Sequence, residues 1–502
     1  MESARAPRSA GILLHPTSLP GPNGIGEIGA AARRFVDWLA AARLTRWQVL
    51  PLVPPGGGDS PYATPSAMSG NPWLIDMEDL VDEGLLQQEE VQPPELPAAR
   101  VDYGAVYAWK GPLLDLAAQR LTQTPSHRLH AAWRAFAQTH AWARDAALFQ
   151  ALRRQQGQVP WWQWPKPLRD REPHVLAQAS ALLASEVDRS TALQFLFDAQ
   201  WRALRRYALE RGVRLIGDLP IYVDADSADT WANPKLFQLN ADCQPVAVAG
   251  VPPDYFSETG QFWGNPLYDW QVMHDDGYRW WIARITRALQ QTDVVRIDHF
   301  RGFSAYWAIP AGSPDARSGQ WRPGPGLALF RALQRELGAL PLIAEDLGVV
   351  DDALVALREG AGLPGMKVLQ FAFGGDAANP FLPHDHTERA VVYTGTHDND
   401  TTAGWFAASD AAVQAHVHAY FGDPAEEPAA LLIRAAFASV CRTAIVPMQD
   451  VLGLGSEARM NTPGTTQGNW NWRMTHEALN AENAKRMSQL SKLYGRDAGV
   501  NR

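Results

Sequence analysis

Residues 294–298 read VVRID, and residues 341–345 read PLIAE. Each is a short apolar run that ends on a carboxylate, without the polar–apolar alternation of a half-exposed strand. That is the pattern of a parallel strand buried on both faces. Six more runs of this kind lie along the chain: Gly11–His15 (GILLH), Trp47–Leu52 (WQVLPL), Val213–Asp218 (VRLIGD), Lys367–Phe373 (KVLQFAF), Ala390–His397 (AVVYTGTH) and Thr443–Asp450 (TAIVPMQD). Helical spacing fills gaps between them, as in Ala31–Arg43. Asp351–Glu359 (DDALVALRE) opens on Asp, as a helix N-terminus should. Eight strands alternating with helices predict an α/β fold of the (β/α)8 TIM-barrel type.

Two gaps are too long for a plain strand–helix unit, one between Leu52 and Val213 and one between Asp218 and Val294. They predict insertions on the loop side of the barrel, where function is usually placed. The expected organisation is a single catalytic barrel over residues 1–502. Residues 53–104 form an inserted loop region, rich in Pro, Gly and Ser over 53–84, and residues 105–210 an inserted, mostly helical subdomain. Residues 219–293 form a further inserted loop region over the active site. Within the helical stretch Trp142, Ala146, Phe149 and Leu152 fall on one face.

Composition narrows the class. The chain is 46% hydrophobic and 20% charged, which gives ample core. Its 45 Lys+Arg against 54 Asp+Glu leave a net charge of −9, which disfavours nucleic acid as a ligand. No stretch approaches the ~20 apolar residues of a membrane span. The apolar run Gly11–Leu14 is too short for a signal-peptide core. Cys243 and Cys441 stand far apart without zinc or CxxC spacing, as in a reducing compartment. A cytoplasmic protein is expected. Trp (20) outnumbers both Phe (17) and Tyr (12), and indole faces serve either core packing or stacking on sugar rings.

In a barrel, polar residues at strand C-termini face the active site. Here those ends supply Asp218, Arg296, Asp298, His299, Glu345, Asp346, His397, Asp398 and Asp450. A single terminal carboxylate is as readily a helix cap or structural ion pair; carboxylates on three strands of one barrel favour a functional site. Arg296 lies two residues before Asp298, so both point to one face, and a neighbouring positive charge favours the ionised carboxylate that a nucleophile needs. Glu345 closes an apolar strand, and low polarity favours its protonated form. His397 and Asp398 offer a donor and a further carboxylate to sugar hydroxyls. One ionised and one protonated carboxyl make the working pair of a retaining glycosidase. Tyr62, Tyr255, Phe256 and Trp263 sit among Gly and Pro, where ring faces stay presentable for sugar stacking. Trp133, Trp142, Trp161, Trp162 and Trp164 are most simply structural, and the stretch 461–473 is either another wall of the site or core. A metal reading through His299, His397, His384 and His386 lacks suitable spacing. Gly56–Gly58 lacks the Lys of a P-loop, and no GxSxG occurs.

The segments GILLHPTSLPG, SPYA, GDLPIYV, PPDYFSETGQFWGNPLYDW, RIDHFRG, IAEDLG, TGTHDNDT and NTPG…NWNWR resemble, in order and spacing, the 4-α-glucanotransferases of glycoside hydrolase family 77, relatives of the α-amylases. The resemblance implies a retaining transferase that moves α-1,4-glucan segments to the 4-hydroxyl of another glucan or of glucose. It implies Asp298 as nucleophile, Glu345 as general acid/base and Asp398 as the third carboxylate. Tyr62, Asp218, Arg296 and His397 would surround the bound glucose, Trp263 would line the acceptor side, and Tyr255 and Phe256 would lie on a loop over the cleft. No cofactor or catalytic metal and no C-terminal β-domain are implied. His386 in PHDH is an oddity within the pattern.

Overall fold

The computed structural model describes residues 7–253, 257–422 and 426–497. In chain order its strands are β1 (Ser9–Leu13), β2 (Arg46–Gln48), β3 (Arg214–Leu219), β4 (Ala247–Val251), β5 (Gln261–Pro266) and β6 (Val294–Ile297). They continue with β7 (Ala305–Pro310), β8 (Gln320–Pro323), β9 (Leu342–Ala344), β10 (Gly365–Val368), β11 (Ala390–Tyr393) and β12 (Thr443–Pro447). Eight of them pair in parallel in the order β10-β11-β12-β1-β2-β3-β6-β9. The two ends of this sheet meet where the Ala344 N–H donates to the Pro364 carbonyl at 2.9 Å, which nearly closes the barrel. Each of the eight runs picked out in the sequence supplies one barrel strand.

Several strands stop short of the ends of their runs. Lys367–Phe373 leaves the sheet at Val368 and turns into a 3-10 helix, Leu369–Phe371. The run ending at His397 leaves it at Tyr393, so His397 and Asp398 stand on the loop beyond β11. Asp298 and Glu345, by contrast, directly follow the last residues of β6 and β9. Backbone crowding sets the barrel's inner dimensions. A Cβ on Gly11 would lie 2.2 Å from the Arg46 carbonyl oxygen, so β1 and β2 approach as they do only because residue 11 has no side chain.

Helices cover the barrel. Ala30–Ala41 buries Phe35, Val36 and Leu39, and Asp352–Gly360 starts on Asp351, whose side chain accepts from the Leu354 N–H. The helical stretch before β3 contains Tyr103–Gln123, His130–Thr139, Ala141–Gln155, Pro173–Leu182 and Ala184–Glu210. The last of these buries Phe195, Phe197, Trp201 and Leu204 in the barrel core itself. A smaller core joins Ala146, Phe149 and Leu152 to Trp161, Trp164 and Trp231. Trp142 does not join it; its ring lies under the Arg287 guanidinium, 4.7 Å away.

The stretch expected as loop over 219–293 carries regular structure. β4 and β5 join β7 and β8 in a second, antiparallel four-stranded sheet, ordered β5-β4-β7-β8, and Arg279–Gln291 is a helix. AVAGV and QFWGNP are too short and too rich in Gly and Pro to read as strands on their own. Among the described residues, β12 is followed by helices and turns, and no helix is long and apolar enough to cross a membrane.

The Gly11→Ala substitution tests the β1–β2 approach. Overpacking typically costs about 1–3 kcal/mol, so a lowered thermal unfolding midpoint is expected. A midpoint equal to that of the parent would contradict the close contact.

Candidate active site

Three barrel strands deliver the central polar cluster. Asp218 on β3 and Arg296 on β6 are register partners across the sheet. The Arg296 Nη1 donates to Asp218 Oδ1 and Oδ2, both at 2.8 Å. Its Nη2 lies 3.0 Å from Asp298 Oδ1. The guanidinium is buried, so one positive charge is shared between two carboxylates with little water to screen it. The side chain of Asp218 is 0% exposed, and it also accepts from the Tyr62 hydroxyl at 2.8 Å. Asp218 therefore positions Arg296 and Tyr62 from beneath and does not itself face the cleft. Burial pushes its carboxyl above the usual range, with Arg296 pulling it back.

Glu345 sits at the end of β9, beside this cluster. Its Oε2 accepts from the His299 N–H at 2.7 Å and its Oε1 from the Leu347 N–H at 2.8 Å. Those bonds favour the carboxylate, but loss of water outweighs them and pushes its pKa up to about 7. The nearby Asp298 charge acts in the same upward direction, and Arg296 opposes it. His299 reaches Glu345 by adopting a left-handed backbone, φ +50°. For a residue other than Gly such a conformation costs about 1–3 kcal/mol. Burial holds its imidazole down to about 4, so it is neutral at neutral pH. Sequence reasoning named His299 only as a strand-end residue and a metal alternative; its backbone role has no local signature.

The third carboxylate completes a wall. The Asn461 Nδ2 donates to Asp398 Oδ1 at 2.6 Å, and Arg459 Nη2 donates to the Asp398 carbonyl at 2.6 Å. The Asp398 side chain stays 43% exposed, and His397 Nε2 lies 3.4 Å from its Oδ1. The His397 ring stacks on Tyr62 with centroids 5.0 Å apart and planes 12° apart. Trp470 packs against both rings from behind, so it and the buried Trp472 are packing residues. Asn461, from the stretch that was either wall or core, belongs to the wall.

Trp263 stands apart from that wall. It sits on β5, 37% exposed, with its ring edge-to-face on His299 at 4.8 Å. Tyr255 and Phe256 lie outside the described residues. Asp346 and Asp450 are structural. Asp346 accepts from Arg358 and from the Met366 N–H, and Asp450 from Thr394 and Thr402. His386 is buried and bonded to Ser439 and to the Phe381 carbonyl. It ties its loop to the end of the helix Pro428–Ala438.

Glu345→Gln separates burial from catalysis. The unfolded carboxyl titrates near 4.5 and the folded one near 7. Between those values the folded state binds the extra proton, so stability falls as pH rises and the full cost is present above about 7. The variant should therefore gain thermal stability over the parent above that pH and lose the advantage below about 4.5. A difference independent of pH would contradict a desolvated Glu345.

Known proteins share this chain's sequence and fold. The family model described as 4-alpha-glucanotransferase matches residues 14–479. The chain is 49% identical over 495 residues to a 4-alpha-glucanotransferase of Thermus thermophilus, covering 97% of this chain and 98% of the relative. It is 48% identical over 500 residues to a chloroplastic/amyloplastic 4-alpha-glucanotransferase of Solanum tuberosum, covering 97% and 86%. An amylomaltase from Streptococcus agalactiae, solved in complex with acarbose, superposes with a TM-score of 0.94 at 38% identity, covering 97% of this chain and 99% of that one. The chain belongs to the 4-alpha-glucanotransferase family, glycoside hydrolase family 77.

Proposed function

We propose that the protein performs the 4-α-glucanotransferase reaction of its family by double displacement, with Asp298 as nucleophile and Glu345 as general acid and base. The observation that carries this reading is the contrast between two carboxyls at neighbouring strand ends. Asp298 is paired with a buried guanidinium, and Glu345 is raised to about 7. Such a difference divides the acid from the nucleophile in a retaining site.

In the first step Glu345 gives its proton to the bridging oxygen of an α-1,4-glucan while an Asp298 oxygen attacks C1. The C1–O bond breaks, the departing segment leaves with the proton, and an ester joins C1 to Asp298 with inverted configuration. In the second step the 4-hydroxyl of another glucan or of glucose gives its proton to Glu345 and attacks C1, releasing Asp298. The second inversion restores α. Asp398, held by Asn461 and still exposed, accepts from hydroxyls of the glucose being transferred, and Tyr62 and His397 present ring faces and a donor beside it. Arg296 holds Asp298 in line. The substrates of this reading are α-1,4-glucans such as maltodextrins, with glucose as an acceptor. Its place is the cytoplasm, in keeping with the free thiols of Cys243 and Cys441.

Maltotriose as sole substrate tests the activity. A ladder of longer maltodextrins plus glucose is expected, whereas shorter products alone would make the protein a hydrolase. Asp298→Asn and Glu345→Gln should each lower transfer by several orders of magnitude with the fold intact by circular dichroism; near-parental activity in either would remove its role. Because Glu345 must be protonated to start the reaction, kcat/KM should fall as pH rises through about 7. A flat profile across the neutral range would contradict the assignment.

A further inference from the structure

Where β1, β11 and β12 end, the barrel mouth holds a small cavity of about 30 Å³. That is room for one or two water molecules, at the ~10–15 Å³ each needs. Its lining joins apolar residues of the strand ends to the polar residues His15, Ser18, His397 and Asn399. His15 is brought there by the end of β1 and pinned on both sides. The Leu14 N–H donates to the Gln48 carbonyl at 3.0 Å, and the Ser18 N–H to the His15 carbonyl at 2.9 Å. The Trp47 Nε1 donates to the Leu14 carbonyl at 2.8 Å. His15 is 5% exposed, and the mechanism above gives it no task.

Its protonation is decided by its surroundings. Burial first, and then the charge of His397, hold the His15 imidazole down to about 3, so it is neutral at neutral pH. A neutral imidazole has one N–H and one bare nitrogen. His15 Nδ1 is buried with no partner among the described residues. An orphaned N–H is the less tolerated of the two states. The proton therefore belongs on Nε2, and that nitrogen is a donor.

His397 has the complementary need. Tyr62, stacked on it at 5.0 Å, sets its ring plane, but stacking does not choose the nitrogen that carries the proton. That choice is made by the hydrogen bond at the other nitrogen. His397 Nε2 lies 3.4 Å from Asp398 Oδ1. A proton on Nε2 serves that carboxylate and leaves Nδ1 as a bare acceptor in want of a donor. Ser18 Oγ already donates to the Trp472 carbonyl at 2.7 Å, so it can only accept. A water in the cavity accepts from one imidazole and donates to the other, with its second proton free for Ser18 Oγ.

We propose that His15 is a positioning residue for the transfer reaction: through a water in this cavity, which accepts from its Nε2–H and donates to His397 Nδ1, it keeps the His397 proton on Nε2, facing Asp398 and the bound glucose. The proposal rests on the transferase reading above and gives a role in it to a side chain that reaches no substrate.

The test measures maltotriose disproportionation by the full chain. His15→Leu, which removes the donor, should lower kcat/KM about tenfold, equivalent to about 1.4 kcal/mol. His15→Gln, whose amide can reach the place of Nε2, should recover most of that loss. In a His397→Gln background, where no imidazole tautomer remains to be chosen, His15→Leu should change kcat/KM less than twofold. A purely structural role would give the same loss in both backgrounds, and that result would overturn the proposal. So would parental kcat/KM in a folded His15→Leu variant. His15→Asn, polar but too short to reach the Nε2 place, should match His15→Leu and carries the test if that variant does not fold; parental kcat/KM in it would equally overturn the proposal. Failure of the variants to behave this way leaves the transferase reading standing, whereas a parent that makes no longer maltodextrins overturns that reading and this proposal together.

Discussion

The buried guanidinium of Arg296 is the constraint on which the site depends. It bonds Asp218 with one amino group and lies against Asp298 with the other. One positive charge among two carboxylates leaves the cluster net negative before Glu345 is counted. Loss of water pushes the neighbouring Glu345 carboxyl up to about 7, with Arg296 pulling against that shift and the Asp298 charge adding to it. The Tyr62–His397–Asp398 wall hangs from the same group: Asp218 fixes the Tyr62 hydroxyl, Tyr62 stacks on His397, and His397 adjoins Asp398. Burying such an ion cluster is costly. The cost is consistent with a site that must divide roles between two like side chains.

Transfer and hydrolysis use the same carboxylates, so the outcome depends on what occupies the accepting side after the first step. In the proposed mechanism that side is organised by His299. Its left-handed backbone aims an N–H at Glu345, and its neutral ring supports Trp263. Glu345 and the Trp263 ring are thereby coupled through one residue, directly after Asp298. A sugar stacked there would displace water from the place where water would attack in the proposed mechanism. The second sheet, β5-β4-β7-β8, gives Trp263 a regular element to stand on, which is firmer than a free loop.

The barrel was legible because its strands are continuous apolar runs separated by helical spacing, a pattern contained in short windows of sequence. The Arg296–Asp298 contact was legible for the same local reason, since residues two apart on a strand share a face. Other features were not. β4 and β5 gain their strand character from pairing with β7, and neither AVAGV nor QFWGNP carries that information alone. Asp450 and Asp346 resembled Asp298 and Glu345 in sequence, and only their bonding to Thr394, Thr402 and Arg358 sets them apart as structural. Asp218 was expected beside glucose, yet the Tyr62 and Arg296 bonds place it one layer below.

The central claim, that Asp298 becomes covalently bonded to the transferred sugar while Glu345 handles the proton, is open to direct chemical capture. α-Glucosyl fluoride forms the ester without help from an acid, because fluoride leaves unprotonated as the C1–F bond breaks. Incubated with the Glu345→Gln variant, whose second step is slow, it should add the mass of one glucosyl group to the protein, and peptide mass spectrometry should locate that group on Asp298. A glucosyl group mapped to any other residue, or release of fluoride in a stoichiometric burst with Asp298 unmodified, would contradict the account.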